Sequence, residues 1–477
     1  MWWLSAAALA ASEPVNFLPP DPSPVWRIIS FLGVFGFVGV CWVASENRRA
    51  IRWRPVLWGV GLQMLFTAFI VLTPGVSDFF YTVVDEGVRK LLSFSETGAS
   101  FLFGTMAGHA LEVGEPEDLF AAGGHREVFI GQVSPPLKTF AFWILPSIIF
   151  FSSLMGVLYH LGVMQIVVRG LGWSMMRTMG TSGAESLSTA GNIFLGQTEA
   201  PLLIKPFIGT MTRSELMCVM VGGFATVAGG VMGAYVKFLE GFPDIAGHLV
   251  VASIITAPAT IAVSKLFIPE TEVPVTLGRM DVSFEKTSSN VIEAAGRGAS
   301  EGMSLLLNVG AMLIAFVALV AMIDWFVGFV PVTFCADGSL AGGYECAVGV
   351  AGEPLNMSRI LGWVFAPFAL LMGIPPSEAL VVGRLLGEKL VLTEFVAYIH
   401  LGEIIRAPAA ILSERTSIIA SYALCGFANF ASVGIQLGGI GGMAPHRMAD
   451  LASIGLKAMF AGMIATCMAG AVVGTLL

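Results

Sequence analysis

Long apolar runs alternate with short polar links along the chain. Runs near the ~20 residues that a helix needs to cross a bilayer recur at 28–44, 56–74, 139–161, 217–236, 247–267, 305–330, 416–438 and 456–477. They predict eight transmembrane helices. Several are dense in Gly and Ala, which suits close helix packing in lipid, where apolar burial gives no attraction between helices. Two further runs, 182–206 and 376–403, are apolar enough for the membrane but interrupted, the first by GQTEAP and the second by GRLLGEKLVLTE. Segment 77–93 mixes charged and apolar residues at helix-like spacing and predicts a helix lying in the interface.

The interruptions repeat. QTE (197–199) in the first broken run is followed by GGFATVAGG (222–230), and LTE (392–394) in the second by CGFANFASVG (425–434). Each half therefore repeats one unit of span, broken segment, Gly-rich span, span. If each broken segment is a re-entrant hairpin, each unit crosses three times, and the odd number inverts the second copy. Inverted repeats with paired interrupted helices point to a secondary transporter whose site lies at the repeat interface near the bilayer midplane. The expected fold is an all-α polytopic membrane protein with eight transmembrane helices, two opposed re-entrant hairpins in inverted repeats and an interfacial helix. The expected plan is an external tail or weak signal peptide at 1–25, two spans over 26–76 and the interfacial helix at 77–93. A first repeat follows over 94–267, then a cytoplasmic loop at 268–300 and a second repeat over 301–477.

Composition agrees with a membrane location. Of 477 residues, 56% are hydrophobic and 12% charged, against about 25% charged in a soluble domain. The net charge of −8, with no basic run interleaved with aromatics, argues against a nucleic-acid partner. The cluster SENRRAIRWR (45–54) is placed inside by its positive charge, which puts the N-terminus outside. Cys41, Cys218, Cys425 and Cys467 lie in apolar segments as small hydrophobes. Cys335 and Cys346 flank a Gly-rich loop that either closes as a disulfide or carries two free thiols. The six histidines show no metal-site spacing, and no phosphate-binding GxxxxGK[ST] loop occurs. Glu46, Glu185 and Asp324 near span ends read as interfacial.

A carboxylate inside a membrane is tolerated only beside protein or water, so Glu199 and Glu394 are the leading site candidates. The alternative places both in loops at an aqueous surface. Gly196 and Pro201 bracket the first tip, where the backbone must leave the helix and free its polar groups. Asn429 and Ser432 share a helix face, and an unpaired amide in the bilayer is unfavourable. The glycines alone also suit small-residue packing, and Phe427 suits a core as well as a ligand ring. With carboxylates, amides and hydroxyls and no Lys or Arg counted among them, the set suits a neutral, hydroxyl-rich solute. An intramembrane acid–base enzyme using Glu199 and Glu394 and a sensor without transport are the competing readings.

The strings GNIFLGQTEAPLLIKPF, GGFATVAGGVMGAYV, EAAGRGASEGMSLLLNVGAMLIAF, EFVAYIHL and ALCGFANFASVGIQLGGIGGMAP resemble the concentrative nucleoside transporters, from about residue 30 to the C-terminus. The resemblance implies a homotrimer in a plasma or inner membrane that imports nucleosides such as uridine and adenosine, driven by Na+ or H+, with no organic cofactor and no catalysis. By matching position it implies that Gln197, Thr198 and Glu199 face the base, with Val231 and Phe427 as apolar walls, and that Glu394, Asn429 and Ser432 bind the ribose hydroxyls. It implies a Na+ site of Asn192, Leu195, Thr226 and Val227, whose oxygens suit a hard cation. Family members restricted to pyrimidines resemble one another in carrying a hydroxyl-bearing residue at the Gly196 position and Leu at the Val227 position. Gly196 and Val227 therefore imply broad base selectivity here.

Overall fold

The computed structural model describes residues 15–19, 23–103, 140–279, 288–329, 333–334 and 353–477. The chain begins with α1 (Val25–Val43) and α2 (Trp53–Leu72), followed by a continuous helical stretch of α3 (Pro74–Asp78), a π-helical turn Phe79–Val84 and α4 (Asp85–Phe103). This stretch extends well past 77–93. The first half continues with α5 (Pro146–His160), α6 (Val163–Met179), α7 (Gly183–Gly191), α8 (Lys205–Ile208), α9 (Arg213–Ala225), α10 (Gly229–Phe238) and α11 (Ile245–Phe267). The long α12 (Val291–Val327) leads to a two-residue antiparallel ladder, β1 (Thr333–Phe334) with β2 (Glu353–Pro354). The second half continues with α13 (Met357–Leu371), α14 (Pro376–Val391), α15 (Glu394–Arg406), α16 (Glu414–Leu424), α17 (Phe430–Met443) and α18 (Met448–Leu476).

The protein is an all-α polytopic membrane protein. Among the described residues, six helices or broken helices are long and apolar enough to span a bilayer, or up to eight if each of two bent pairs is one span. The bent pairs are α5 with α6, at 78°, and α13 with α14, at 117°. Neither α6 nor α13 is foreseen as a helix by the apolar runs. The turn into α6 uses Gly162 at φ 84°, a backbone conformation that favours glycine.

Three further differences from the sequence reading have local causes. Helix α12 starts at Val291, inside the stretch read as loop 268–300, because the Asn290 side chain accepts from the Glu293 N–H and caps its first turn. The run 217–236 is broken between α9 and α10, and the run 416–438 between α16 and α17. At the second break Gly426 takes φ 141°, which L side chains rarely adopt. Glu185 is buried rather than interfacial, 2.7 Å from the Lys265 ammonium, and it closes a capping box with Ser182 at the start of α7. Glu46 does lie near the surface, paired with Arg213. Asp324 accepts from the Met357 N–H. Cys335, Cys346, His109 and His125 lie outside the described residues.

Small residues let elements approach closely. A Cβ on Gly298 of α12 would stand 2.5 Å from the Ser152 carbonyl oxygen of α5, and one on Gly302 would stand 2.8 Å from Ile149 Cα. The other side of α12 is open, with Ile292, Leu307 and Ile314 exposed.

Candidate functional site

Two broken segments and two broken helices build the site. In the first segment, α7 ends at Gly191 and the chain turns through 192–199 before the 3-10 turn Ala200–Ile204. The turn folds back on α7, since a Cβ on Gly191 would meet the Leu203 side chain at 2.7 Å. In the second segment the break falls at Leu392 and Thr393 between α14 and α15. Across that break His400 Nδ1 lies 2.7 Å from Glu388, whose carboxylate also accepts from Arg384 and Ser358.

The two tips meet the two broken helices from opposite halves of the sequence. Gln197, on the first tip, donates to Ser432 Oγ at 3.3 Å on α17. Asn429 caps α17, its Oδ1 accepting from the Ser432 N–H at 2.8 Å, while its Nδ2 donates to Glu394 Oε2 at 2.8 Å. Glu394 opens α15 and is buried. Val231 and Phe427 are buried on α10 and in the second break. Gln197, Glu394, Asn429 and Ser432 are thus brought into one hydrogen-bonded set. Thr198 sits against α17, where a Cβ on Gly439 would meet its methyl group at 2.6 Å.

Glu199 points elsewhere. Its carboxylate accepts from the Gly196 N–H at 3.0 Å and faces a cavity of about 200 Å³ between the first tip, α5, α10 and α12, lined also by Arg297 and Glu301. In this geometry it is not part of the hydrogen-bonded set.

Three polar groups in the same region escaped the sequence reading. Tyr235 of α10 donates to Glu394 Oε1 at 3.0 Å, with its ring stacked on Tyr398 at 4.5 Å between centroids. Gln436 of α17 donates to Gln197 Oε1 and to the Met220 carbonyl, each at 3.2 Å. The spacing signal was present: Gln436 lies one helical turn beyond Ser432, and Tyr235 one turn beyond Val231, on the same faces. The third is Lys389, which corrects the count of no cation within this polar region, because its side chain is fully buried.

The first break has the chemistry of a cation site. Asn192 is buried at the end of α7 with neither Oδ1 nor Nδ2 hydrogen-bonded. A buried, unpartnered amide is unfavourable unless a ligand completes it. Thr226, at the C-terminus of α9, donates its hydroxyl to the Gly222 carbonyl at 2.8 Å, which leaves its lone pairs to accept or ligate. Val227 is buried in the break and Leu195 on the tip. The breaks also leave helix-terminal backbone groups without intrahelical partners. A Cβ on Gly222 would stand 2.8 Å from Asn192 Nδ2 and one on Gly223 2.9 Å from Gln197 Cβ, so both glycines are needed for the first segment to approach.

Comparison with known proteins adds to this geometry. Family models match three regions: the N-terminus of Na+ dependent nucleoside transporters over residues 32–106, a nucleoside recognition domain over 141–242 and the C-terminus of Na+ dependent nucleoside transporters over 248–474. Solute carrier family 28 member 3 of Mus musculus is 38% identical over 467 residues, covering 94% of this chain and 59% of its own length. The chain therefore spans less than two thirds of that relative. The uncharacterized transporter YutK of Bacillus subtilis (strain 168) is 40% identical, covering 93% of this chain and 98% of its own. The structure of CNTnw in an inward-facing substrate-bound state is 37% identical with a TM-score of 0.77, covering 94% of this chain and 97% of that one.

Proposed function

Because the chain belongs to the concentrative nucleoside transporter family, we propose that it is a symporter that imports nucleosides across a plasma or inner membrane, driven by a Na+ gradient. The observation that carries this reading is the hydrogen-bonded set of Gln197, Ser432, Asn429 and Glu394, which joins the two halves at their broken segments. Its acceptors and amides suit a neutral solute with a hydroxylated sugar and a hydrogen-bonding ring. Glu394 and Asn429 with Ser432 take the ribose. Gln197 and Thr198 take the base between Val231 and Phe427, and Glu199 would join them only on turning from the neighbouring cavity it faces in this structure.

Asn192 and Thr226, with the Leu195 and Val227 carbonyls, hold Na+. The unpartnered Asn192 amide supports this assignment, as do oxygen donors, which a hard cation prefers. When bound, the ion supplies positive charge at the C-terminal end of α9, where the helix dipole is negative. It also ties the first tip to the break, so ion and solute support the same arrangement. The exposed apolar face of α12 suits lipid or further copies of the chain, and a homotrimer is the assembly proposed from the family resemblance. Catalysis has no place in this reading, because solute leaves the site unchanged.

The test is uptake of labelled uridine into proteoliposomes with Na+ and pH gradients imposed independently, and the internal product checked by chromatography. Accumulation of intact uridine that follows Na+ supports the proposal. Uptake that ignores Na+ and follows pH overturns the ion assignment, and chemical conversion of uridine overturns transport.

A further inference from the structure

Ser188 lies inside α7, one helical turn before Asn192. The Asn192 N–H donates to the Ser188 carbonyl at 2.9 Å, so the helix is intact across this turn and the two side chains leave it on the same face. Both residues are fully buried. Among the described residues, neither the Ser188 hydroxyl nor either polar atom of the Asn192 amide has a hydrogen-bond partner.

The missing partner sets Ser188 apart from other hydroxyls on these elements. A Ser or Thr inside a helix commonly turns its hydroxyl back onto the carbonyl four residues earlier. Ser186 does so to Ser182 at 2.7 Å, Thr189 to Glu185 at 2.8 Å and Thr226 to Gly222 at 2.8 Å. Ser188 leaves the corresponding bond unmade, although buried polar groups are nearly always paired. The charged side chain one turn before it, Glu185, is already engaged by the Lys265 ammonium at 2.7 Å and by the Ser182 N–H at 2.8 Å.

Helix α9 closes over the Asn192 end of this face. A Cβ on Gly222 would meet Asn192 Nδ2 at 2.8 Å, and Thr226 follows one turn further along α9. Two ligands spaced i and i+4 on one helix face can share one ion, as the two histidines of a zinc-binding helix do. Here the donors are a hydroxyl and an amide, which suit a hard cation. They carry no charge to offset the ion, and burying charge is unfavourable, so a singly charged ion is favoured over a doubly charged one.

We propose that Ser188 is a further ligand of the cation site, its hydroxyl oxygen joining Asn192 in holding a monovalent cation at the first break. This rests on the Na+ reading of that break and extends the site one turn into α7. Ser188 takes no part in the hydrogen-bonded set of Gln197, Ser432, Asn429 and Glu394.

The experiment follows the thermal midpoint of the full-length protein in detergent, without nucleoside, as Na+ replaces choline at constant ionic strength. An ion that binds only the folded state raises the midpoint, so the titration reads Na+ affinity directly. Ser188→Ala removes the oxygen, and Ser188→Cys keeps the side-chain shape while putting a soft sulfur in its place. Both variants are expected to need about tenfold more Na+ for the same rise, the scale of losing a group that supports a bound metal. Their midpoints in choline should stay near that of the parent, because no hydrogen bond is lost. If Ser188→Ala is unstable in choline, the Cys variant carries the test. Parent-like Na+ dependence in both variants overturns the assignment and leaves the Na+ reading standing. A weakened Ala variant beside a parent-like Cys variant means packing alone and overturns it as well. A parent whose midpoint ignores Na+ overturns the Na+ reading itself, and this extension with it.

Discussion

Tyr235 donates its hydroxyl to Glu394 at 3.0 Å, so a residue of the first half holds the carboxylate of the second. Asn429 holds the other oxygen at 2.8 Å. Tyr235→Phe should leave the ring stacked on Tyr398 and remove one charge-assisted hydrogen bond, worth about 1.5–3 kcal/mol. The thermal midpoint should drop measurably with the lost bond, and uridine affinity should fall about tenfold as the carboxylate loses its fixed position. Unchanged affinity in a binding titration would show that Tyr235 does not tune the carboxylate.

Glu394→Gln replaces an acceptor-only group with an amide that accepts at one end. Binding should weaken at least about tenfold, and discrimination against 2′- and 3′-deoxynucleosides should shrink. A mutant that discriminates as sharply as the parent means that the sugar is read elsewhere.

Asn192→Ala removes the unpartnered amide at the first break. Half-maximal uptake should then require more Na+, while uptake at saturating Na+ recovers most of its rate. The check is a Na+ titration of initial rates, and an unshifted midpoint would move the ion away from Asn192.

Gly196→Ser tests base selectivity. A Cβ there would sit 3.4 Å from Glu199 Cδ and 3.6 Å from Ala228 Cβ, ordinary contacts that leave folding intact. The added side chain narrows the approach to the tip, so adenosine uptake should fall more than uridine uptake. Competition among the common nucleosides measures this, and the idea fails if adenosine does not compete with uridine in the parent.

Gly426→Ala should destabilise the protein by about 1 kcal/mol or more, because φ is 141° and the new Cβ would stand 2.7 Å from the Phe224 carbonyl oxygen. Gly434→Ala is the control, with nothing within 4 Å of its Cβ. Thermal unfolding in detergent separates them, and equal midpoints would mean that the break tolerates a side chain.

Broken segments were legible in the sequence because Gly, Pro and carboxylates interrupt apolar runs that lipid would otherwise keep helical. Thr226 and Asn429 were read inside continuous spans, whereas both lie at helix ends, because the neighbouring glycines break the helices there. Helices α6 and α13 were not legible. Arg169 and Arg177 lower the apolarity of the first, and α13 is too short for the span criterion. Tyr235, Gln436 and Lys389 were missed for a different reason. Spacing places Tyr235 and Gln436 on the site faces, but each of the three bonds a group remote in sequence, Tyr235 to Glu394, Gln436 to Gln197 and Lys389 to Thr466, so spacing alone does not encode the partner.

The interruption at Asn429 also bears on how such a protein diversifies. Its side chain caps α17 through Oδ1 and reaches the neighbouring carboxylate through Nδ2, so one amide serves both backbone and site. Residues with that double duty are poor places for change, whereas Gly196 and Val231 beside them carry no such obligation to a helix end. On the proposed reading, a change of solute preference is accommodated more readily at Gly196 and Val231 than at Asn429, whose loss would also uncap α17.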